Sequence, residues 1–223
     1  MSARAEMLDG LRRALARGDK AGALAAVEDR LATRARNLVP ARAKGAPGEL
    51  VERFVERARR VEATVLRVAD AAAAVDAVAG YLRHENLGLA VVMAPDPWLA
   101  ALPWARVPLL AARPGPAVET DRVAITSAFA AVAETGTLVM RSGAEHPSTL
   151  NFVPATHVIV LPVERVVGAL EDAFDRLRAD GAALPSTVNL ITGPSRSADI
   201  EQTILLGAHG PQRLAIVLVG DAA

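Results

Sequence analysis

The run Ile191-Thr192-Gly193-Pro194-Ser195-Arg196-Ser197-Ala198-Asp199-Ile200-Glu201 has the residue types of an anion site. Gly193 permits an unusual backbone angle and a close approach of ligand to backbone. Pro194 stiffens the turn. Ser195 or Ser197 can cap a following helix, whose first N–H groups and positive dipole end favour negative charge. Arg196 can clamp a carboxylate or phosphate through two parallel hydrogen bonds, and Asp199, in the first helical turn, can orient it. The same residues also suit a capped turn with a solvent-facing arginine.

Two further loops carry comparable residue types. Ala133-Glu134-Thr135-Gly136-Thr137 closes an apolar, helix-like run that starts at Ser127. Glu134 is the only acid between Asp121 and Glu145, so burial in a cleft would fit it to act as base or nucleophile. Thr135, Gly136 and Thr137 offer hydroxyl and N–H donors beside it; a helix end with a glycine cap reads equally from the spacing. His209-Gly210-Pro211 supplies an imidazole for acid–base work or for donation to a carboxylate, with Gly210 again allowing close approach. His84, His146, His157 and His209 lack the spacing of metal ligands, so no metal site is expected. His157 opens a strand, where packing is the expected role, and His146 receives none. Gly-x-Gly-x-x-Gly, a phosphate loop ending in Gly-Lys-Ser/Thr and the Gly-x-Ser-x-Gly elbow are missing, and no motif names a cofactor.

These loops need a scaffold, and the hydrophobic pattern supplies one. Apolar strands are predicted at Val61–Val68, Leu89–Met93, Val107–Ala111, Arg122–Thr126, Thr137–Arg141, Thr156–Leu161, Thr187–Thr192 and Leu214–Val219. Helices are predicted at Ala71–His84, 163–179 and near 198–207. Wholly apolar strands separated by helices argue for an α/β fold, a mostly parallel sheet with helices on both faces. Ligands bind such sheets beyond the carboxyl ends of the strands, which places the turn after strand 187–192 at a binding edge. Residues 1–60 read as a helical N-terminal extension containing the linker 41–48, and 61–223 as the α/β domain.

Composition narrows the functional classes. Over 223 residues the hydrophobic share is 52%, enough for a sizeable core. No apolar run approaches the roughly 18 residues needed to span a bilayer, so a cytoplasmic protein is expected. With 0 cysteines, no thiol nucleophile and no iron–sulfur cluster held by cysteine of this chain is available. Residues 1–60 hold 14 Arg and Lys against 8 Asp and Glu. Without interleaved aromatics, that basic arm is read as solvated helix faces rather than a nucleic-acid surface.

In order along the chain, Ala-Glu-Thr-Gly-Thr-Leu-Val (133–139), Pro-Ala-Thr-His-Val-Ile-Val (154–160), Thr-Gly-Pro-Ser-Arg-Ser-Ala-Asp-Ile-Glu (192–201) and Gly-Ala-His-Gly-Pro-Gln-Arg-Leu (207–214) resemble the lactate-utilisation protein family. More narrowly they resemble its LutC or YkgG branch, built on the LUD domain. The resemblance is specific over about 120–220 and is one of layout before that. It implies a fold similar to the sugar-phosphate isomerase and CoA-transferase superfamily. It also implies a component of a system oxidising L-lactate to pyruvate beside iron–sulfur partner subunits; with the anion-suited turn, such a component is expected to bind a small carboxylate or other anion through Arg196, Ser195 and Thr135. The matching positions are Glu134, Thr135, Gly136, Gly193, Pro194, Ser195, Arg196, Asp199, His209 and Gly210; Ser197 stands where threonine is common. The alternative is a stand-alone enzyme using Glu134 as base or nucleophile. In either case Glu134 and Arg196 are expected to line one pocket.

Overall fold

A computed structural model describes residues 3–15, 20–180, 185–200 and 203–221. The chain divides into two compact units, Met1–Leu38 and Val39–Ala223. The first holds α1 (Ala3–Ala14) and α2 (Lys20–Thr33), with Met7, Leu8, Leu11 and Leu15 exposed.

The second unit runs α3 (Pro47–Arg60), β1 (Thr64–Val68), α4 (Ala71–His84), β2 (Ala90–Met93), α5 (Pro97–Ala100), β3 (Ala111–Pro114), β4 (Val123–Thr126), β5 (Ala130–Val132) and β6 (Thr137–Arg141). It continues with β7 (Thr156–Pro162), β8 (Val166–Val167), α6 (Leu170–Ala179), β9 (Val188–Ile191), β10 (Arg196–Ile200), β11 (Thr203–Leu206) and β12 (Arg213–Val219). Six strands form a parallel sheet in the order β1-β12-β7-β4-β2-β3. A second sheet, β8-β5-β6-β9, is mixed, and β10 pairs with β11 as an antiparallel hairpin.

Strand alternation sorts the core into layers. Val158, Val160, Ala215 and Val217 of the central strands pack with Val75, Val78 and Leu82 of α4. Their neighbours Ile159, Leu161, Ile216 and Leu218 face the other way, onto Val51, Phe54 and Val55 of α3 and onto Leu138 and Met140 of the second sheet. The outer side of that sheet, with Val132 and Val139, is closed by Ala173 and Leu177 of α6. Helices thus cover both faces of the parallel sheet, as the sequence pattern requires.

Several elements depart from expectation for identifiable reasons. The unit boundary falls at 38/39 instead of 60/61, because α3 buries Val51, Phe54, Val55 and Ala58 in the α/β core. The alanine-rich run after Ser127 is strand β5, not helix: Ala130, Ala131 and Val132 are fully buried between two layers, and tertiary packing overrides alanine's helix propensity. The predicted strand 107–111 begins later, at β3. The predicted helix 163–179 is split into a 3-10 turn, β8 and α6. Most consequential, 198–207 is the β10–β11 hairpin and contains no helix among its described residues. The β-branched run Ile200, Thr203 and Ile204 suits strand better than helix.

Candidate functional site

The loops singled out in the sequence do meet, and hydrogen bonds connect all of them. Thr135 Oγ1 and Thr137 Oγ1 lie 2.7 Å apart, and Thr137 Oγ1 lies 2.7 Å from Thr192 Oγ1. Ser195 N donates to Pro211 O at 2.8 Å, Gly207 N to Ser195 O at 2.9 Å, and His209 N to Ser195 Oγ at 3.4 Å. Gly210 packs against Ser195 Cβ.

Their geometry is that of a packed joint. Gly136 has φ +71°, and a Cβ there would stand 2.7 Å from the backbone nitrogen of Ala58 in α3. Gly193 has φ +80°, and its Cβ would meet the carbonyl oxygen of Val61, just past α3, at 2.6 Å. Both glycines therefore admit the end of α3 instead of a ligand. Strand β10, and no helix among the described residues, follows Ser195, so the helix-start donors expected for an anion are not found there. Arg196 pairs at 2.6 Å with Glu62. Ser197 and Asp199 lie on β10, their side chains outside the described residues. Glu134 Oε1 accepts from Leu170 N at 3.4 Å, at the start of α6, while Oε2 is buried with no partner among the described residues. Glu134 and Arg196 are thus held on different elements.

Position in the sheet explains the difference. β9 belongs to the second sheet, so its end is not a carboxyl edge of the parallel one. Residues 207–211 precede β12 and lie at the amino edge. At the carboxyl edge, the neighbouring strands β2, β4 and β7 lead to Asp96, Ser127 and Arg165. His146 joins them from the segment after β6, where Gly143 and His146 form a bridge.

These four side chains form one polar cluster. Asp96 Oδ1 caps α5 by accepting from Trp98 N at 2.8 Å and Leu99 N at 3.4 Å. Ser127 Oγ donates a short hydrogen bond to Asp96 Oδ2. Arg165 Nη1 donates to Ser127 Oγ at 3.2 Å and to Ala128 O at 2.7 Å, and its guanidinium lies 5.0 Å over the Trp98 ring. His146 Nε2 is 3.1 Å from Ser127 Oγ and 3.5 Å from Asp96 Oδ2. Burial alone would raise the Asp96 carboxyl; hydrogen bonds from His146, Ser127, Trp98 N and Leu99 N outweigh it and hold the group well below the usual carboxylate range. Burial pushes the Arg165 guanidinium down, with Asp96 opposing and Arg141 adding to the shift. Beneath the cluster His157 is buried, its Nε2 2.8 Å from Thr126 Oγ1 and its Nδ1 without a partner among the described residues. Burial, with a smaller contribution from His146, pushes the His157 imidazole down to about 3.

The cluster opens into a cavity of about 260 Å³ lined by Asp96, Ser127, Phe129, Arg141, Glu145, His146, Arg165 and Asp180. A neighbouring hollow of about 330 Å³ shares Arg141, Glu145, His146 and Asp180 with it. Arg141 pairs with Asp180 and stands over the Phe129 ring at 5.0 Å. Neither cavity is lined by Glu134 or Arg196. Among the described residues no group of three or more His, Cys, Asp or Glu is placed to hold a metal ion.

Residues 117–219 match the family described as LUD domain. Over 106 residues the chain is 38% identical to "Lactate utilization protein C" of Bacillus subtilis (strain 168), a match covering 46% of this chain and 44% of that one. The protein of the same name in Geobacillus thermodenitrificans (strain NG80-2) is 38% identical over 108 residues, 47% of this chain and 45% of that one. The match thus takes in under half the length of these relatives. The crystal structure of a DUF162 family protein from Deinococcus radiodurans shares the fold, with a TM-score of 0.57 and 21% identity, covering 79% of this chain and 100% of that one. The matched region, 117–219, supplies Ser127, Arg141, His146 and Arg165 to the cleft, and Asp96 comes from the segment before it.

Asp96, Ser127, His146 and Arg165 are not among the residues that the sequence motifs single out. A signal existed for three of them: each follows an apolar strand within a few residues, where the carboxyl-edge rule directs attention. His146 carries no such mark, because only the folded path of its loop brings it to the cluster.

Proposed function

We propose that this chain serves lactate utilisation, as a component of the system that oxidises L-lactate to pyruvate beside iron–sulfur partner proteins, and that it binds a small anion in the carboxyl-edge cleft. The observation that carries the reading is the similarity to proteins named lactate utilization protein C, together with the LUD-domain match over 117–219, the region that supplies most of the cleft. The lack of cysteine in these 223 residues supports placing thiolate-held clusters on partners. Lactate-dependent electron transfer by the iron–sulfur partners, measured with and without this chain, tests it. The rate is expected to fall when the chain is omitted; equal rates reject a required component.

A second reading, a stand-alone enzyme using Glu134 as base or nucleophile, draws on the buried, unpartnered Oε2. Under it, Glu134→Gln abolishes turnover of an acyl or sugar-phosphate substrate while leaving binding nearly intact. Unchanged turnover rejects it.

A further inference from the structure

The hydrogen bonds around Ser127 determine which groups of the cleft remain for a ligand. A hydroxyl has one proton and two lone pairs. Ser127 gives its proton to Asp96 Oδ2, so toward Arg165 Nη1 and His146 it is an acceptor. His146 Nε2 must therefore carry a hydrogen, and the neutral ring has its lone pair on Nδ1. Nδ1 has no bond among the described residues. Arg165 is constrained in the same way. Its Nη1 is taken by Ser127 and Ala128 and its plane is set against Trp98. The Nε–Nη2 edge, a fork of two parallel N–H groups, has no partner among the described residues.

We propose that this cleft is a subsite for a small monocarboxylate bearing a hydroxyl on the neighbouring carbon, gripped by the Nε–Nη2 edge of Arg165 and accepting the hydroxyl's hydrogen bond at His146 Nδ1. The choice of a 2-hydroxy acid rests on the lactate-utilisation reading, whereas the carboxylate fork on Arg165 and the acceptor on His146, both lining one cavity, come from the hydrogen bonds around Ser127. The volume of about 260 Å³ lies under the roughly 300–1,000 Å³ of sites for drug-sized ligands, which fits a molecule of a few carbons. Charge limits the ligand further. Asp96 is held as an anion by its own donors and Asp180 is paired with Arg141, and Glu145 also lines the cavity. A second negative charge on the ligand would meet that carboxylate, so a monoanion is favoured over a phosphate dianion. Asp96 acts through its neighbours as a positioning residue, fixing the Ser127 proton and the His146 tautomer.

Calorimetric titration of the full chain with L-lactate, propionate and inorganic phosphate tests the assignment, since lactate and propionate differ only in the hydroxyl. Wild type is expected to bind lactate about tenfold more tightly than propionate, because an unpaired acceptor is left with the latter, and phosphate more weakly than either. Arg165→Lys keeps the charge and loses the fork; both acids weaken about tenfold or more while their ratio holds. In His146→Gln the amide nitrogen replaces Nε2–H, while its oxygen sits on the same terminal carbon and not at the Nδ1 position, so the preference for lactate over propionate is lost. Arg106→Ala, an exposed arginine paired with Asp76 elsewhere, is the control and leaves both constants unaltered. No binding of either acid, equal affinities in wild type, phosphate binding tighter than lactate, or wild-type affinities in Arg165→Lys each overturn the subsite. If electron transfer requires the chain but neither acid binds, the subsite falls and the functional reading stands. If lactate binds as described but electron transfer does not require the chain, the functional reading falls and the subsite stands.

Discussion

At the amino edge of the parallel sheet, loops rich in glycine, serine and threonine close on one another and on α3. At the carboxyl edge, Asp96, Ser127, His146 and Arg165 close on a cavity. In the amino-edge loops, Gly136 and Gly193 approach protein backbone, Ser195 bonds to the strand-leading loop, and Arg196 is answered by Glu62. In the cleft a carboxylate, a hydroxyl, an imidazole and a guanidinium satisfy one another only in part. A run of residues that looks like a ligand loop can thus serve as a joint, while ligand chemistry assembles from single residues on separate strands.

Loading the joint puts this contrast under the heaviest strain. Gly136→Ala puts a side chain at positive φ and against α3, and is expected to cost about 3 kcal/mol of stability. Chemical denaturation measures it, and L-lactate affinity of the folded fraction should be unchanged. A loss under about 1 kcal/mol would mean that α3 is not packed there as described.

Next in size is a pH effect beneath the cleft. His157 is held at about 3 in the fold against an ordinary value of 6.5. Between those values the unfolded chain binds a proton that the folded chain refuses. Stability therefore rises with pH through this window, by at most about 1.4 kcal/mol per pH unit, and the contribution is complete above 6.5. Denaturation series from about pH 4.5 to the ordinary value of 6.5, on wild type and His157→Gln, should show a shallower slope in the variant. Parallel slopes would remove His157 as the cause.

The smallest effect belongs to Arg196. Its pair with Glu62 is largely exposed, so Arg196→Ala should change stability by less than about 1 kcal/mol and leave lactate affinity within about twofold of wild type. A tenfold loss of affinity would return the ligand to the amino edge.

Much of this architecture can be read from the chain. The wholly apolar strands 123–126, 156–162 and 213–219, and the helix 71–84 capped by Asp70, are legible because burial on both faces and helical spacing leave direct marks in sequence. Local pattern fails where two layers compete for one segment. Alanine in β5 reads as helix until both of its faces are known to be buried, and 198–207 reads as helix until Arg196–Ile200 finds Thr203–Leu206. The three motif loops carry residue types that suit one shared neighbourhood. Their position at the amino edge leaves no such trace, because it depends on β9 joining the second sheet. The cleft is the least legible part, since Asp96 and Arg165 meet Ser127 only through strand order.

The choice between the two edges comes down to backbone amide shifts followed while L-lactate is titrated into the full chain. Saturable shifts are expected at Ser127, Ala128, Glu145, His146 and Arg165, with Gly136, Gly193, Ser195 and Gly210 unmoved. Shifts confined to the second group would contradict a carboxyl-edge site.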